Sequence, residues 1–454
     1  MENQNENAAE FILKRVEIQK QGDPGLETQF EITAAVTEIN IFEHIDKPYL
    51  TGSIVFADID RIVELSQISG SETVILKIAT RDELDHTITK TFIISEIIRI
   101  SKGNDNAQLV GLSLIEDSGF LSRLMRVSKA YSGTPSSMIT QLLYEWLGKT
   151  VKNISANDMN MPRSMKVIVP NMAPFDAANW LKDRMSTTNG LPFFLFSTIC
   201  DDSLRLTDLE TILNQTPLNS RTRPYTYGQK VDNDFINDPN KYYNIRNYSV
   251  GMTDNQLLLS RKGMIGATYN FIDTVKGKGI SDNINAENMF KSLKYSADQN
   301  MPVYDGRANI KNKKMHEYDT VEISQITPTK IYDDGDMNYY EADGISSHMN
   351  KAKQRSFRHF LHKTPIEISV PGFNFLSNAS VPGGVNTSIG NLIDVSIPAA
   401  VNTSNIKGDV IPSDKKRSGT YLIYGVRHVF QQNVYNAVLS CNRLSYMNRA
   451  AGDY

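Results

Sequence analysis

Thr91-Phe92-Ile93-Ile94-Ser95-Glu96-Ile97-Ile98 is answered near the far end of the chain by Thr420-Tyr421-Leu422-Ile423-Tyr424-Gly425-Val426-Arg427. Both runs are rich in β-branched and aromatic residues, the signature of a hairpin arm. Arg99 and His428 follow at the same offset, and after a turn differing by one residue Ala107-x-Leu109 matches Ala437-x-Leu439. Upstream of each lies a Gly-led strand, Gly70 before Val74-x-Leu76-x-Ile78 and Gly390 before Ile393-x-Val395-x-Ile397. Hairpin patterning alone produces such alternation. A shared order of strand, Gly-led strand and long hairpin reads instead as two copies of one β module. Three subunits that each carry two similar modules would display six of them in a ring, so a trimer can fit a three-fold object to a six-fold one.

Working outward, residues 29–115 alternate in the period of strands: Phe30, Ile32, Ala34 and Val36, then Ile54 and Phe56. Lys102-Gly103-Asn104-Asp105-Asn106 has the composition of a hairpin turn. The period then changes. Asp117 is placed to cap a short helix carrying Phe120, Leu121 and Leu124. Thr134, Pro135 and Gly148 frame a stronger one, whose Met138, Ile139, Leu142, Leu143, Trp146 and Leu147 recur at helical spacing. Another begins at Pro174, carries Phe175, Ala178, Leu181 and Met185 on one face and closes at Gly190, and Leu191–Phe196 reads as a buried strand. Residues 219–241 and 270–340 are polar and loop-like, and a helix over about 349–362 precedes the last strands. The expected fold class is α+β: two β-barrel or sandwich domains with an inserted α/β domain. The expected boundaries are 1–116, 117–230, 231–348 (loop-rich) and 349–454.

Chemistry-bearing motifs are sparse. There is no His-Glu-x-x-His helix, no Gly-x-Ser-x-Gly elbow and no Walker loop. Lys276-Gly277-Lys278-Gly279 lacks the Lys-Ser/Thr ending of a phosphate loop, and Asp333-Asp334-Gly335-Asp336 has Lys330 where a calcium loop needs an acid. His359 and His362 share a helix face, but no further ligand stands at metal spacing. The sequons at Asn386 and Asn402 carry meaning only in an exported chain. The reading is therefore of a non-enzyme without cofactor or metal. One stripe invites a role: Lys351, Arg355, Arg358 and His362 line one side of the last helix, opposite Ala352, Ser356 and Phe360. It is either a solvated face or a docking or channel-facing surface for an acidic partner or passing DNA.

The 454 residues suffice for about three domains. Lys and Arg number 48 against 51 Asp and Glu, a balance that argues against a surface built wholly for nucleic acid or anionic membrane. No apolar run approaches the roughly 18–20 residues of a membrane helix. The polar, acidic start Met1-Glu2-Asn3-Gln4 is unlike a signal peptide, and Cys200 and Cys441 are the only cysteines, so the expected folding compartment is a cytoplasm.

Ser418–Phe430 with Tyr435–Leu439, preceded by Val370-Pro371-Gly372 and the Gly390-led strand ending at Pro398, resembles the closing hairpin of baseplate hub proteins of contractile-tailed bacteriophages. Pro174-Phe175-Asp176-Ala177-Ala178-Asn179-Trp180-Leu181, running into Gly190 and Phe193–Phe196, is similar to the hub's inserted domain. Lys47-Pro48-Tyr49-Leu50-Thr51-Gly52-Ser53-Ile54 is similar to its first tube-like domain. The collinear order over residues 27–445 carries the resemblance, and 270–345 have no counterpart in it. It implies a homotrimeric ring in the virion tail, assembled in the host cytoplasm and related to the hubs of type VI secretion. It implies as partners a central spike protein, the tail tube or its initiator, and wedge proteins, with DNA only as passing cargo and no membrane insertion. Because the chain stops shortly after its last hairpin, the spike is expected to be a separate protein. Two other classes stay open: a tail-associated hydrolase, and a host-glycan binder using Tyr339 and Tyr340.

Overall fold

The computed structural model describes residues 11–446 apart from 21–28, 66, 81–86, 105–106, 154–164, 220–222, 229–241, 252–255, 264, 275–276, 286–288, 290–300, 303–310, 314–316, 319–320, 327–332, 335–336, 339–343, 363–364, 373–374, 377–387, 400–412, 415–416, 432 and 444. The first half is built on β1 (Phe11–Gln19), β2 (Val36–His44), β3 (Thr51–Asp58), β4 (Thr73–Thr80), β5 (Thr87–Asn104) and β6 (Ala107–Glu116), with a short strand at Gln29–Glu31 beside β1. Their antiparallel order is β2-β3-β6-β5-β4-β1. Period-two burial explains why: Ile54 and Phe56 of β3, Val74, Leu76 and Ile78 of β4, and Leu112 and Leu114 of β6 are all turned into the core. Strand β1, which lies ahead of the alternation read from the sequence, covers β4 with Val16 and Ile18.

The chain then enters the inserted unit. Helix α1 (Asp117–Leu124) buries Ser118, Gly119 and Ser122, while Leu121 and Leu124 are exposed. The expected apolar face is thus turned outward, because the ring of Tyr49 packs where only a small side chain fits: a Cβ on Gly119 would lie 2.8 Å from it. Helix α2 (Pro135–Leu147) follows the sequence reading closely, with the Thr134 hydroxyl accepting the Ser137 amide hydrogen. Strand β7 (Val151–Asn153) is followed by α3 (Pro174–Lys182), which ends at Lys182 rather than running to Gly190, although Met185 beyond it is buried. Strand β8 (Phe193–Thr198), buried at every residue, pairs with β9 (Asp201–Asp208), and β9 takes β7 in parallel.

The second half contributes β10 (Tyr225–Tyr227) and β11 (Asn247–Val250). A three-stranded sheet follows, with β12 (Gly266–Asp273) between β13 (Lys278–Asn285) and β14 (Glu322–Ile326). Then come helix α4 (Gly344–Leu361), β15 (Ile366–Pro371), β16 (Leu392–Ser396), β17 (Gly419–Gln431) and β18 (Val434–Asn442). Segment 270–340, expected to be loop-rich, thus holds much of a small sheet of its own.

The two halves repeat at the level of hydrogen bonds. Strand order β2-β3-β6-β5-β4 recurs as β11-β15-β18-β17-β16. One row crosses the first as Ile39–Ile54–Leu112–Ile97 and the second as Tyr248–Ile368–Leu439–Val426. Each long hairpin carries a bulge at the same place, Ser95 in β5 and Tyr424 in β17. Ahead of each bulge sits the same two-bond clasp. The Ser71 amide donates to Ile94 O (2.8 Å) and the Ile94 amide to Glu72 O (2.8 Å); Gly390 donates to Ile423 O (3.1 Å) and Ile423 to Asn391 O (2.9 Å). Ser71 (φ 79°) and Gly390 (φ 82°) even share the left-handed backbone. Gly390 therefore corresponds to Ser71, one residue after the Gly70 that the sequence had suggested. On the return strands Leu112, not Leu109, corresponds to Leu439, because β5 is bulged again at Ile98 and between Lys102 and Asn104.

The left-handed site is tolerant only where there is room. No heavy atom other than Ile94 O comes within 4 Å of a Cβ placed on the adjoining Gly70, whereas a Cβ on Gly390 would sit 3.0 Å from the Phe196 ring. Gly390→Ser is expected to cost about 2 kcal/mol, from left-handed strain plus that crowding. Ser71→Gly should stay within about 0.5 kcal/mol, relief of strain offsetting the added chain entropy. Urea midpoints compare the two.

The halves are not separate sheets. Strand β17 pairs with β16 through its first residues and, farther along the same edge, with β2, from Gly425 opposite His44 to Gln431 opposite Glu38. One large sheet results, ending at Asn244–Ile245 on one side and Gln29–Glu31 on the other. The architecture is mixed α+β and mostly strand. Among the described strands neither half closes into a barrel, against the closed form the sequence allowed.

Candidate functional site

Helix α4 presents Phe357, Phe360 and Leu361 to the core, with Ser356 and Gln354 also buried. Three members of the basic stripe, Arg355, Arg358 and His362, line one open groove of about 460 Å³ together with Asp183, Gln354 and His359. The side chain of Lys351 lies outside the described residues. Arg355 and His362 are the exposed members of the stripe on this groove. Arg358 is turned inward: it donates to Asp46 Oδ1 (2.8 Å) and to the carbonyl of Phe193 (2.9 Å), with its guanidinium 5.0 Å from the Phe194 ring centre. His362 stands edge-on to Tyr424 at 4.4 Å and meets the Asn442 amide at 3.1 Å.

These contacts make Asp46 a four-way junction. It lies between β2 and β3 and receives Arg358 from α4, Lys182 from α3 at 3.8 Å, and the Tyr424 hydroxyl at the β17 bulge. Burial pushes the Asp46 carboxyl up, but Arg358, Lys182 and the tyrosine hydrogen bond outweigh it and hold it below the ordinary carboxylate range. Burial pulls the Lys182 ammonium down, and Asp46 restores only part of that. Sequence reading found Arg358 by its spacing but gave it the wrong neighbourhood, since nothing local marks Asp46 as its partner. Arg358→Ala should lower stability by roughly 2–3 kcal/mol, a partly exposed pair losing less than a sealed one. Hydrogen exchange should show α4 loosening before the sheet does.

A second polar cluster is sealed completely. Glu43 of β2 accepts the Ile199 amide (2.5 Å) and the Thr198 hydroxyl (3.2 Å) from the β8–β9 turn, and Thr198 is bonded in turn to Ser388 (2.6 Å). His428 of β17 faces the same carboxylate, Nε2 to Oε1 at 3.5 Å, while its Nδ1 meets the Tyr435 hydroxyl at 2.7 Å. Burial pushes the Glu43 carboxyl up. The facing His428, the Ile199 amide and the Thr198 hydroxyl reverse this and bring it below its ordinary value. Glu, His and Tyr in line resemble a catalytic relay. Here Glu43, His428 and Tyr435 are all buried, and the contacts of Glu43 tie β2 to β17 and to the end of β8 and its turn. The cluster pins the inserted unit and both β halves together.

No family model matches the sequence, and no curated protein does. Among solved structures, the 43 kDa tail protein of prophage MuSo2 from Shewanella oneidensis is similar over 94% of this chain and 98% of its own, at 10% identity and a TM-score of 0.50. The chain has the fold of a prophage tail protein. The tail protein from Neisseria meningitidis MC58 aligns over 96% of this chain and 97% of its own at 12% identity, with a TM-score of 0.49. The E. coli c3393 protein, a type VI secretion component described as structurally similar to the T4 tail proteins gp27 and gp5, aligns over 96% and 79% at 11% identity and a TM-score of 0.43.

Within this tail-protein fold the remaining sequence motifs are placed as follows. Asp333–Asp334 pairs with Met337–Asn338 in a short hairpin, while 335–336 and Lys330 lie outside the described residues. Lys278 and Gly279 open β13, and Lys276 lies outside the described residues, as do Tyr339, Tyr340, Asn386, Asn402 and the turn residues Asp105 and Asn106. Among the described residues no group of three or more His, Cys, Asp or Glu is close enough to hold a metal ion. No described helix is long and apolar enough to cross a membrane. Cys200 and Cys441 are free, and burial raises both thiols well above the ordinary range, which leaves little thiolate for chemistry.

Proposed function

We propose that this chain is the structural hub of a phage tail baseplate, a homotrimeric ring that adapts a three-fold central spike to a six-fold tail tube and surrounds the DNA exit channel. The observation that carries the reading is the duplicated five-strand order, repeated down to the clasp at Ile94 and Ile423. A chain that holds two copies of one module in one sheet gives a trimer six quasi-equivalent positions, and a catalytic role has no use for that arrangement. The prophage tail-protein fold agrees with a place in the virion tail. The partners are a spike protein below, the tube or its initiator above, and wedge proteins outside. The chain divides into a first tube-like domain (1–116), the inserted unit (117–230), a mixed segment (231–348) and a second tube-like domain with its helix (349–454). Strands β10 and β11 reach ahead of that last segment to complete its sheet. With Arg358 engaged by Asp46, Arg355 and His362 are the described exposed members of the basic stripe left for an acidic partner or passing DNA.

The test is solution mass by light scattering, for the chain alone and co-expressed with its spike. Three copies of the 51.0 kDa chain, and by imaging a ring of six similar lobes, are the expected result. A strict monomer in both conditions overturns the reading.

A further inference from the structure

The duplication has one unmatched place. In the second half, the edge of β17 beyond its bulge is filled by β2 of the same chain, from Gly425 opposite His44 onward. In the first half the corresponding edge is that of β5 beyond Ser95. There the ladder with β4 stops at Ile93, and among the described residues no strand pairs with β5 on that side farther along. Conversely, β2 of the first half pairs on both edges, with β3 and β17, whereas among the described residues its counterpart β11 pairs only with β15. Among the described residues each chain thus has one unpaired acceptor edge and one unpaired donor strand, related to each other as β17 is to β2.

The side chains on the two edges agree with this. Ile98 and Ile100 of β5 are 57% and 52% exposed, and Val250 of β11 is 47% exposed. Counting the second bulge at Ile98, Ile100 occupies the row of His428, since it pairs with Val110 as His428 pairs with Ala437. His428 faces Ile41 across the internal junction, and Ile41 corresponds to Val250. His428 and Ile41 are fully buried. Ile100 and Val250 hold the same positions uncovered.

We infer that β5 of one copy of this chain takes β11 of a second copy as an antiparallel neighbour, with Ile100 opposite Val250, repeating between subunits the junction that β17 and β2 make within one. The contact is head-to-tail, and a head-to-tail contact closes into a ring when its rotation is that of the three-fold axis the hub reading supplies. In a three-membered ring six junctions alternate, three internal and three between chains. The inference rests on the hub reading and adds to it the segments that join the subunits.

The experiment introduces lysine on either edge. Ile98→Lys with Ile100→Lys should reduce the particle from three chain masses to one, and Val250→Lys should do the same, with unchanged circular dichroism. A mixture of the two variants retains one intact acceptor and one intact donor, so it should stop at a dimer. Ile100→Cys combined with Val250→Cys should give a covalent trimer on oxidation, and neither single variant should. Variants that remain trimers, or a double-cysteine chain that stays uncrosslinked within a trimer, overturn the junction and leave the hub standing. A wild-type chain that is itself monomeric, alone and with the spike, overturns both.

Discussion

Glu43→Ala should remove about 3–5 kcal/mol of stability, the loss expected when one member of a sealed charged cluster is deleted. The Ile199 amide and the Thr198 hydroxyl both lose a carboxylate acceptor in a site without water access, and His428 loses the charge it faces. Because the carboxylate joins β2, β17 and the β8–β9 turn, limited proteolysis should release the inserted unit from the β halves. Glu43→Gln keeps an acceptor for Ile199 and should lose about half as much. The pH dependence has a definite sign. The folded pKa lies below the ordinary value near 4.5, so the stabilisation is complete above that value and disappears as pH falls through the folded one. The gap in urea midpoint between wild type and Glu43→Gln should narrow on acidification below about pH 5.

Gly372→Ala should cost about 3 kcal/mol or more, the upper range for forcing a methyl group into a packed site. The Cβ would lie 2.2 Å from Tyr435 Cε1. Tyr435 has nowhere to go, being stacked on Phe430 at 4.5 Å and hydrogen bonded to His428 at 2.7 Å. Displacing it also opens the Glu43 cluster, so near-ultraviolet circular dichroism should change along with the midpoint. Gly425→Ala is the control: its Cβ would meet nothing nearer than 3.5 Å, and a loss under about 1 kcal/mol is expected.

The hairpins were legible because their apolar residues face one core at period two, and the caps of α2 were legible because Thr134, Pro135 and Gly148 act locally. The return-strand register was not: β5 is bulged at Ser95, at Ile98 and again between Lys102 and Asn104, and no residue type marks an extra residue in a strand. Strand β11 escaped because Asn247–Val250 is four residues long and gains its meaning only from Ile368 beside it. In α1 the rule that apolar residues face inward failed against the Tyr49 ring, which reserves the inner side for Gly119. The basic stripe was found by spacing, yet Arg358 answers to Asp46, three hundred residues away in sequence and invisible to any local rule. Glu43 had no signal at all, since a lone glutamate in a strand becomes a keystone only when a distant amide points at it.

Arg427 reaches Asn40 across 387 residues of sequence. At ribosomal speeds of about 5–20 residues per second, β2 emerges roughly 20–80 seconds before the strand that will cover its outer edge. Throughout that interval the nascent chain exposes Ile39 and Ile41 along an open strand, and neighbouring nascent chains on one message expose the same strand. Synthesis therefore imposes a waiting period in which the wrong neighbour is already present and the right one has not been made. Yield of this protein should depend on chaperone supply and translation rate more than on the stability of the finished fold.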